Sequence, residues 1–130
     1  MAQNDTLANV LSHITNAIRV GKSSVTTNIS SRVIKQTLEI MKDEGYLGDV
    51  NEIEDSKGNY LEITLIGRLN SCGVVKPRFA VKADNFEKFE KRYLPAKDFG
   101  IIIVSTNKGL MTHMKAKEEN LGGRLISYCY

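Results

Sequence analysis

The residues of this chain that could do covalent chemistry are few and badly spaced for it. Gly21-Lys22-Ser23 matches the end of a phosphate-binding loop, but the glycine required five positions earlier is Asn16. Such a loop also follows a strand and opens a helix, whereas this tripeptide follows a helical pattern and opens a strand-like one. His13 and His113 lie 100 residues apart, outside HExxH or any other metal-ligand spacing, and no serine sits in a GxSxG elbow. Cys72 and Cys129 form one distant pair without CxxC spacing, so neither a zinc site nor a disulfide framework is expected, and both thiols are read as reduced. Adjacent carboxylates such as Asp43-Glu44 and Glu118-Glu119 do not converge on one substrate from a helix. The expectation is no enzyme, no catalytic residue, no metal and no cofactor.

Recognition chemistry is better served. Ser105-Thr106-Asn107-Lys108-Gly109 gathers two hydroxyls, an amide, an ammonium group and a glycine just after an apolar run. Those groups can donate and accept hydrogen bonds at base edges or ribose hydroxyls, and glycine lets a backbone come close to a nucleotide. Thr112 opens a short helical pattern whose first amides suit a phosphate. Lys76-Pro77-Arg78 places two cations beside a rigid bend, and Arg68, Lys82, Lys97 and Arg124 add charge. The residues alone also fit a polar hairpin without a ligand, with the cations marking an ordinary solvent face.

Charge distribution makes the first reading reasonable and leaves the second open. The chain of 130 residues has a net charge of +3, but residues 1–66 sum to −3 and residues 67–130 to +6. A basic half joined to an acidic one is the arrangement expected when one face meets a polyanion. With 42% hydrophobic and 25% charged residues, the composition is that of a globular chain. No apolar run reaches membrane-spanning length and no secretory signal opens the chain, so a cytoplasmic protein without a membrane partner is expected.

The elements that must position these groups follow from periodicity. Leu7, Val10, Leu11, Ile14, Ala17 and Ile18 recur at helical spacing between Asn4 and Arg19, with Asn4 or Asp5 as cap and Gly21 as stop. Alternation predicts a strand over 24–29, and Ile34, Thr37, Leu38 and Met41 a helix ending at Glu44-Gly45. A strand over 46–54, a turn at Asp55-Ser56-Lys57-Gly58 and a strand over 60–66, with Leu61, Ile63 and Leu65 on one face, complete this half.

Beyond Gly67 the pattern changes where the charge does. A strand-like stretch over 74–81 is interrupted by Pro77, which fits an edge or a bulge. Asp84 is expected to cap a short helix with Phe86, Phe89 and Tyr93 on its apolar face, ending before Pro95. A buried strand over 101–105, the polar loop, a short helix from Thr112 to about Glu119, the Gly122-Gly123 break and a strand over 124–130 follow. The expected fold class is α+β, with two small domains: an α/β amino-terminal domain over 1–66 and a mainly β carboxyl-terminal domain with short helices over 67–130, the latter holding the basic residues that an RNA would meet. A protein-interaction module using the exposed sheet edge near Pro77 is the reading from another class.

These residues resemble the small-subunit ribosomal protein eight family, in its archaeal type. The resemblance runs over essentially residues 4–130 and is most specific at Val104-Ser105-Thr106-Asn107-Lys108-Gly109-Leu110-Met111-Thr112 and Leu121-Gly122-Gly123-Arg124-Leu125. Gly67-Arg68-Leu69-Asn70 through Pro77-Arg78-Phe79 and Phe89-Glu90-Lys91-Arg92-Tyr93-Leu94-Pro95 match as well. The resemblance implies a non-catalytic, two-domain constituent of the small ribosomal subunit in the cytoplasm. It would bind the central domain of small-subunit ribosomal RNA, assist its assembly and adjoin neighbouring ribosomal proteins. The family's serine-threonine loop, which enters an irregular narrowed groove, falls on Ser105, Thr106 and Asn107, with Lys108 and Gly109 continuing it. Bacterial members commonly carry serine at the position of Asn107 and glutamate at that of Arg124, so Arg124 is expected to meet a phosphate. Gly122 and Gly123 belong to the same RNA-facing set, and the amino-terminal domain's lesser contribution falls on Arg19 and Lys22.

Overall fold

The structure, a computed structural model, describes residues 6–28, 32–56, 58–76, 78–96 and 99–130. The expected caps Asn4 and Asp5, the strand end Ile29, Lys57 of the turn, Pro77 and Lys97 lie outside them. The chain forms two compact units, Met1–Ser71 and Cys72–Tyr130.

In the first unit the helical spacing condenses into α1 (Thr6–Arg19) and α2 (Arg32–Asp43), and the alternating segments into β1 (Ser24–Asn28), β2 (Val50–Asp55) and β3 (Gly58–Thr64). The strands form an antiparallel sheet in the order β1-β3-β2. Leu7, Val10, Leu11, Ile14 and Ala17 of α1 are buried, as are Ile34, Leu38 and Met41 of α2 and Val25, Leu61 and Ile63 of the sheet. Each of these side chains larger than alanine contributes about 1.5–3 kcal/mol by leaving water. Both helices close as expected at their glycines: the amides of Gly21 and Lys22 return to Ile18 and Ala17, and those of Gly45 and Tyr46 to Lys42 and Met41. That closure corrects the strand predicted from Tyr46. The Tyr46 amide is spent on α2 and Gly48 pairs with Thr64 outside the regular ladder, so β2 begins only at Val50.

The second unit contains β4 (Cys72–Val74), β5 (Ala80–Val81), α3 (Phe86–Tyr93), β6 (Ile101–Thr106), β7 (Gly109–Thr112), α4 (His113–Glu118) and β8 (Gly123–Cys129). Its sheet runs β4-β8-β6-β7, with β5 also on β8, and every pairing is antiparallel. Cys72 is the register partner of Cys129 in the β4–β8 ladder. Ile102, Val104, Met111 and Leu125 bury one face of this sheet with Val75 and Val81, packed with Phe86 and Phe89 of α3, Leu94 and Ala116 of α4. The stretch predicted over 74–81 is two short edge strands.

Asp84 does not cap α3. The cap position is Asn85, without a side-chain cap bond, because the turn from Lys82 to Asn85 carries Asp84 one place too early. Leu94, preceding Pro95, is extended and ends the helix as predicted. Thr112 does cap α4, its hydroxyl accepting from the Lys115 amide at 3.2 Å. Asn120 takes the left-handed closing position of α4 at φ 57°, and the Leu121 amide returns to Ala116. The fold is mixed α and β, with a helical amino-terminal region and a β-rich carboxyl-terminal region carrying short helices, as expected. Among the described residues no helix is long and apolar enough to cross a membrane, and no group of three or more His, Cys, Asp or Glu could hold a metal ion.

Candidate nucleic-acid interface

The polar loop is the tip of the β6–β7 hairpin. Thr106 pairs with Gly109, leaving Asn107 and Lys108 as a two-residue turn, both exposed. The Thr106 hydroxyl donates to the Gly109 carbonyl at 2.8 Å and accepts from the Lys108 amide at 3.1 Å. Its proton is therefore committed inside the loop, and what it can offer a ligand is its oxygen. Gly109 reaches φ 110°, a conformation a side chain would oppose. Ser105, half-buried, stands opposite Leu110 on one side and Arg124 on the other. The Lys108 ammonium lies 4.0 Å from Glu119 and remains mostly in solvent.

The double glycine clasps this hairpin to the rest of the sheet. A Cβ on Gly122 would lie 2.5 Å from the Val81 carbonyl oxygen, and one on Gly123 would collide with the carbonyl of Ser105. Bare backbone at both positions lets β8 fit between β5 and β6, which sets exposed Arg124 beside Ser105 and opposite Ala80. On the side of β8 that β4 and β5 occupy, Val75 donates to Ile126 and Leu125 donates to Phe79, so exposed Lys76 and Arg78 lie between two residues bonded to the sheet. The second unit thus gathers the Ser105–Gly109 hairpin and Gly122-Gly123-Arg124 on one sheet, with Lys76 and Arg78 on its flank. Arg19, Lys22 and Arg68 are carried by the first unit: Arg19 ends α1, the Lys22 amide closes it, and Arg68 follows Gly67 beyond β3; all three are exposed.

Sequence reasoning missed the polar support behind the hairpin. His113 is 2% exposed. Its Nδ1 accepts the Ile102 amide at 3.0 Å, which makes Nε2 the protonated nitrogen; Nε2 donates to Glu90 Oε1 at 3.2 Å, and Lys117 Nζ donates to Glu90 Oε2 at 3.0 Å. The β6–β7 register, ending at Ile103 opposite Thr112, would next place Ile102 opposite His113. There the backbone has already turned into α4, and the imidazole supplies the acceptor that a β7 carbonyl would have supplied. Burial pushes His113 below its ordinary range, against the raising effect of Glu90. Burial also raises Glu90, but Lys117 and His113 outweigh it and hold the carboxyl below its usual value. Nothing in the sequence around a lone histidine before Met114 announces this role. A cavity of about 450 Å³ lies alongside, lined by Asp84, Glu87, Glu90, Lys91, Leu94 and Lys117 among others, and none of its lining residues belongs to the hairpin or the double glycine.

The same residues fall within a family match. The family model for ribosomal protein S8 matches residues 5–130, which takes in the hairpin, the double glycine and the basic flank alike. A match over that much of the sequence places this chain in the ribosomal protein S8 family.

Proposed function

We propose that the chain binds the central domain of small-subunit ribosomal RNA and assists its assembly, with the second unit making the sequence- and shape-selective contacts. Family membership gives the coarser part, a role in ribosome structure. The observation that carries the finer part is the clasp between the Ser105–Gly109 hairpin and Gly122-Gly123-Arg124, which presents hydroxyl, amide and cationic groups from one sheet. Ser105 and Asn107 supply hydrogen bonds to base edges or riboses, while Lys108, Arg124, Lys76 and Arg78 supply phosphate attraction. Arg68, Arg19 and Lys22 make a lesser contribution of their own in the first unit. Asn107 and Arg124, standing where bacterial members commonly have serine and glutamate, favour the archaeal type. The acidic first half leaves a surface for neighbouring ribosomal proteins, in a cytoplasmic ribosome.

Competition binding tests this reading with a structured central-domain RNA against an unrelated duplex at one salt concentration. Ser105→Ala is expected to lose about 1–3 kcal/mol of affinity for the structured RNA only, whereas Lys108→Ala weakens both RNAs alike. Full discrimination by a folded Ser105→Ala and Asn107→Ala pair would refute the assignment of the hairpin tip.

A further inference from the structure

The only two cysteines of the chain, 57 positions apart, are direct register partners in the β4–β8 ladder. The neighbouring hydrogen bonds define the kind of pair they form. Val75 donates to the carbonyl of Ile126, where the β6–β8 register shifts, so that carbonyl faces β4 while the Ser127 amide of the same trans peptide faces β6. Antiparallel pairs alternate in type, so Gly73–Tyr128 is hydrogen-bonded while Val74–Ser127 and Cys72–Cys129 are of the closer, non-hydrogen-bonded type. That type holds Cα atoms about 4.5 Å apart with side chains on the same face, inside the range a disulfide spans. Cys72 opens the second unit and Cys129 is the last residue of its last strand. A bond between them would tie the two ends of that unit together.

We propose that Cys72 and Cys129 are a cross-strand disulfide site, closed by a hydroperoxide as the oxidant. Cys72 is on the edge strand and 8% exposed, whereas Cys129 is on the central strand and fully buried, so Cys72 is oxidised first. Its thiolate, having given its proton to solvent, bonds to the outer peroxide oxygen as the O–O bond breaks. The products are a sulfenic acid on Cys72 and, with one proton, water or an alcohol. The Cys129 sulfur then bonds to the Cys72 sulfur while the S–O bond breaks, and the departing hydroxide leaves with the Cys129 proton as water. Two thiols and one peroxide give one disulfide, one water and one water or alcohol. Covalent closure of the ladder restricts the unfolded chain without asking the native backbone to move.

The test treats the full chain with hydrogen peroxide under native conditions and follows it by intact mass, thiol alkylation, peptide mapping and thermal melting. Expected are a monomer lighter by two hydrogens, loss of both alkylatable thiols together, a linked peptide holding Cys72 and Cys129, and reversal by dithiothreitol. The second unit should melt about 10 °C higher when oxidised. In Cys129→Ser, Cys72 should accumulate as a sulfenic acid trapped by dimedone, while Cys72→Ser should react far more slowly. Thiols that react only after the chain unfolds, disulfide-linked dimers, sulfinic acid without cross-link, or an oxidised form that melts no higher would each overturn the proposal. The wild-type measurement decides the matter even where a serine variant fails to fold.

Discussion

Thr106 donates its hydroxyl proton to Gly109 and accepts from Lys108, so deleting that hydroxyl disturbs the loop before it disturbs any ligand. Thr106→Ala should lower stability by about 1 kcal/mol and loosen the tip, whereas Thr106→Ser should keep the loop and bind structured RNA nearly as the parent does; denaturant melts and binding curves for both variants check this. His113 yields a prediction in pH. Burial holds it below the ordinary 6.5 in the folded chain, so near and below that value the unfolded chain takes up a proton the folded one refuses. Stability is therefore full above about pH 6.5 and falls on acidification. Glu90, held below its ordinary 4.5, adds a second loss at lower pH. His113→Asn, whose Oδ1 can occupy the place of Nδ1 and still accept from Ile102, should remove the first slope and keep the Ile102 amide protected from exchange. Melting temperatures measured from about pH 8 down to about pH 2 read both effects.

At the scale of the element, the β5–β8–β6 clasp is the least forgiving feature. Gly123→Ala drives a methyl group into the Ser105 carbonyl, which is backbone and has nowhere to retreat. A loss of about 1–3 kcal/mol is expected, together with weakened RNA discrimination although no charged or hydrogen-bonding group has changed; chemical denaturation and competition binding measure the two. The clasp was partly legible in the sequence. The double glycine and the serine-threonine loop stood out, but that Gly123 backs onto Ser105 is a long-range fact no local spacing contains. α1, α2 and β3 were readable because their apolar faces are continuous. β7 was hidden because four residues with one buried side chain, Met111, carry too little alternation to separate a strand from a helix lead-in. The start of β2 and the cap of α3 were misplaced by backbone bonding at Tyr46 and Asn85, which side-chain type does not encode. His113 was invisible for the same reason as the clasp: its partners Ile102 and Glu90 are 11 and 23 residues away.

At the scale of the whole molecule, RNA affinity should fall steeply with salt, because the residues from 67 onward carry a net +6. Neutralising Lys76, Arg78 and Arg124 together should flatten the plot of log affinity against log salt by about one unit for each phosphate that then keeps its counterion. Titrations from about 50 to 500 mM salt decide it, and a flat wild-type line would remove the electrostatic half of the reading. The order of strands also has a consequence in time. β8 lies between β4 and β6 and holds β5 as well, yet it comes last in sequence of all the strands. Until Gly123–Cys129 is available, β4 and β5 have no strand to pair with, and β6 keeps one side open. The second unit can nucleate at the local β6–β7 hairpin, but its sheet closes only in a late step that spans the distance from Cys72 to Cys129. A chain interrupted before β8 would expose the unpaired backbone edge of β6 and seek a strand from another molecule.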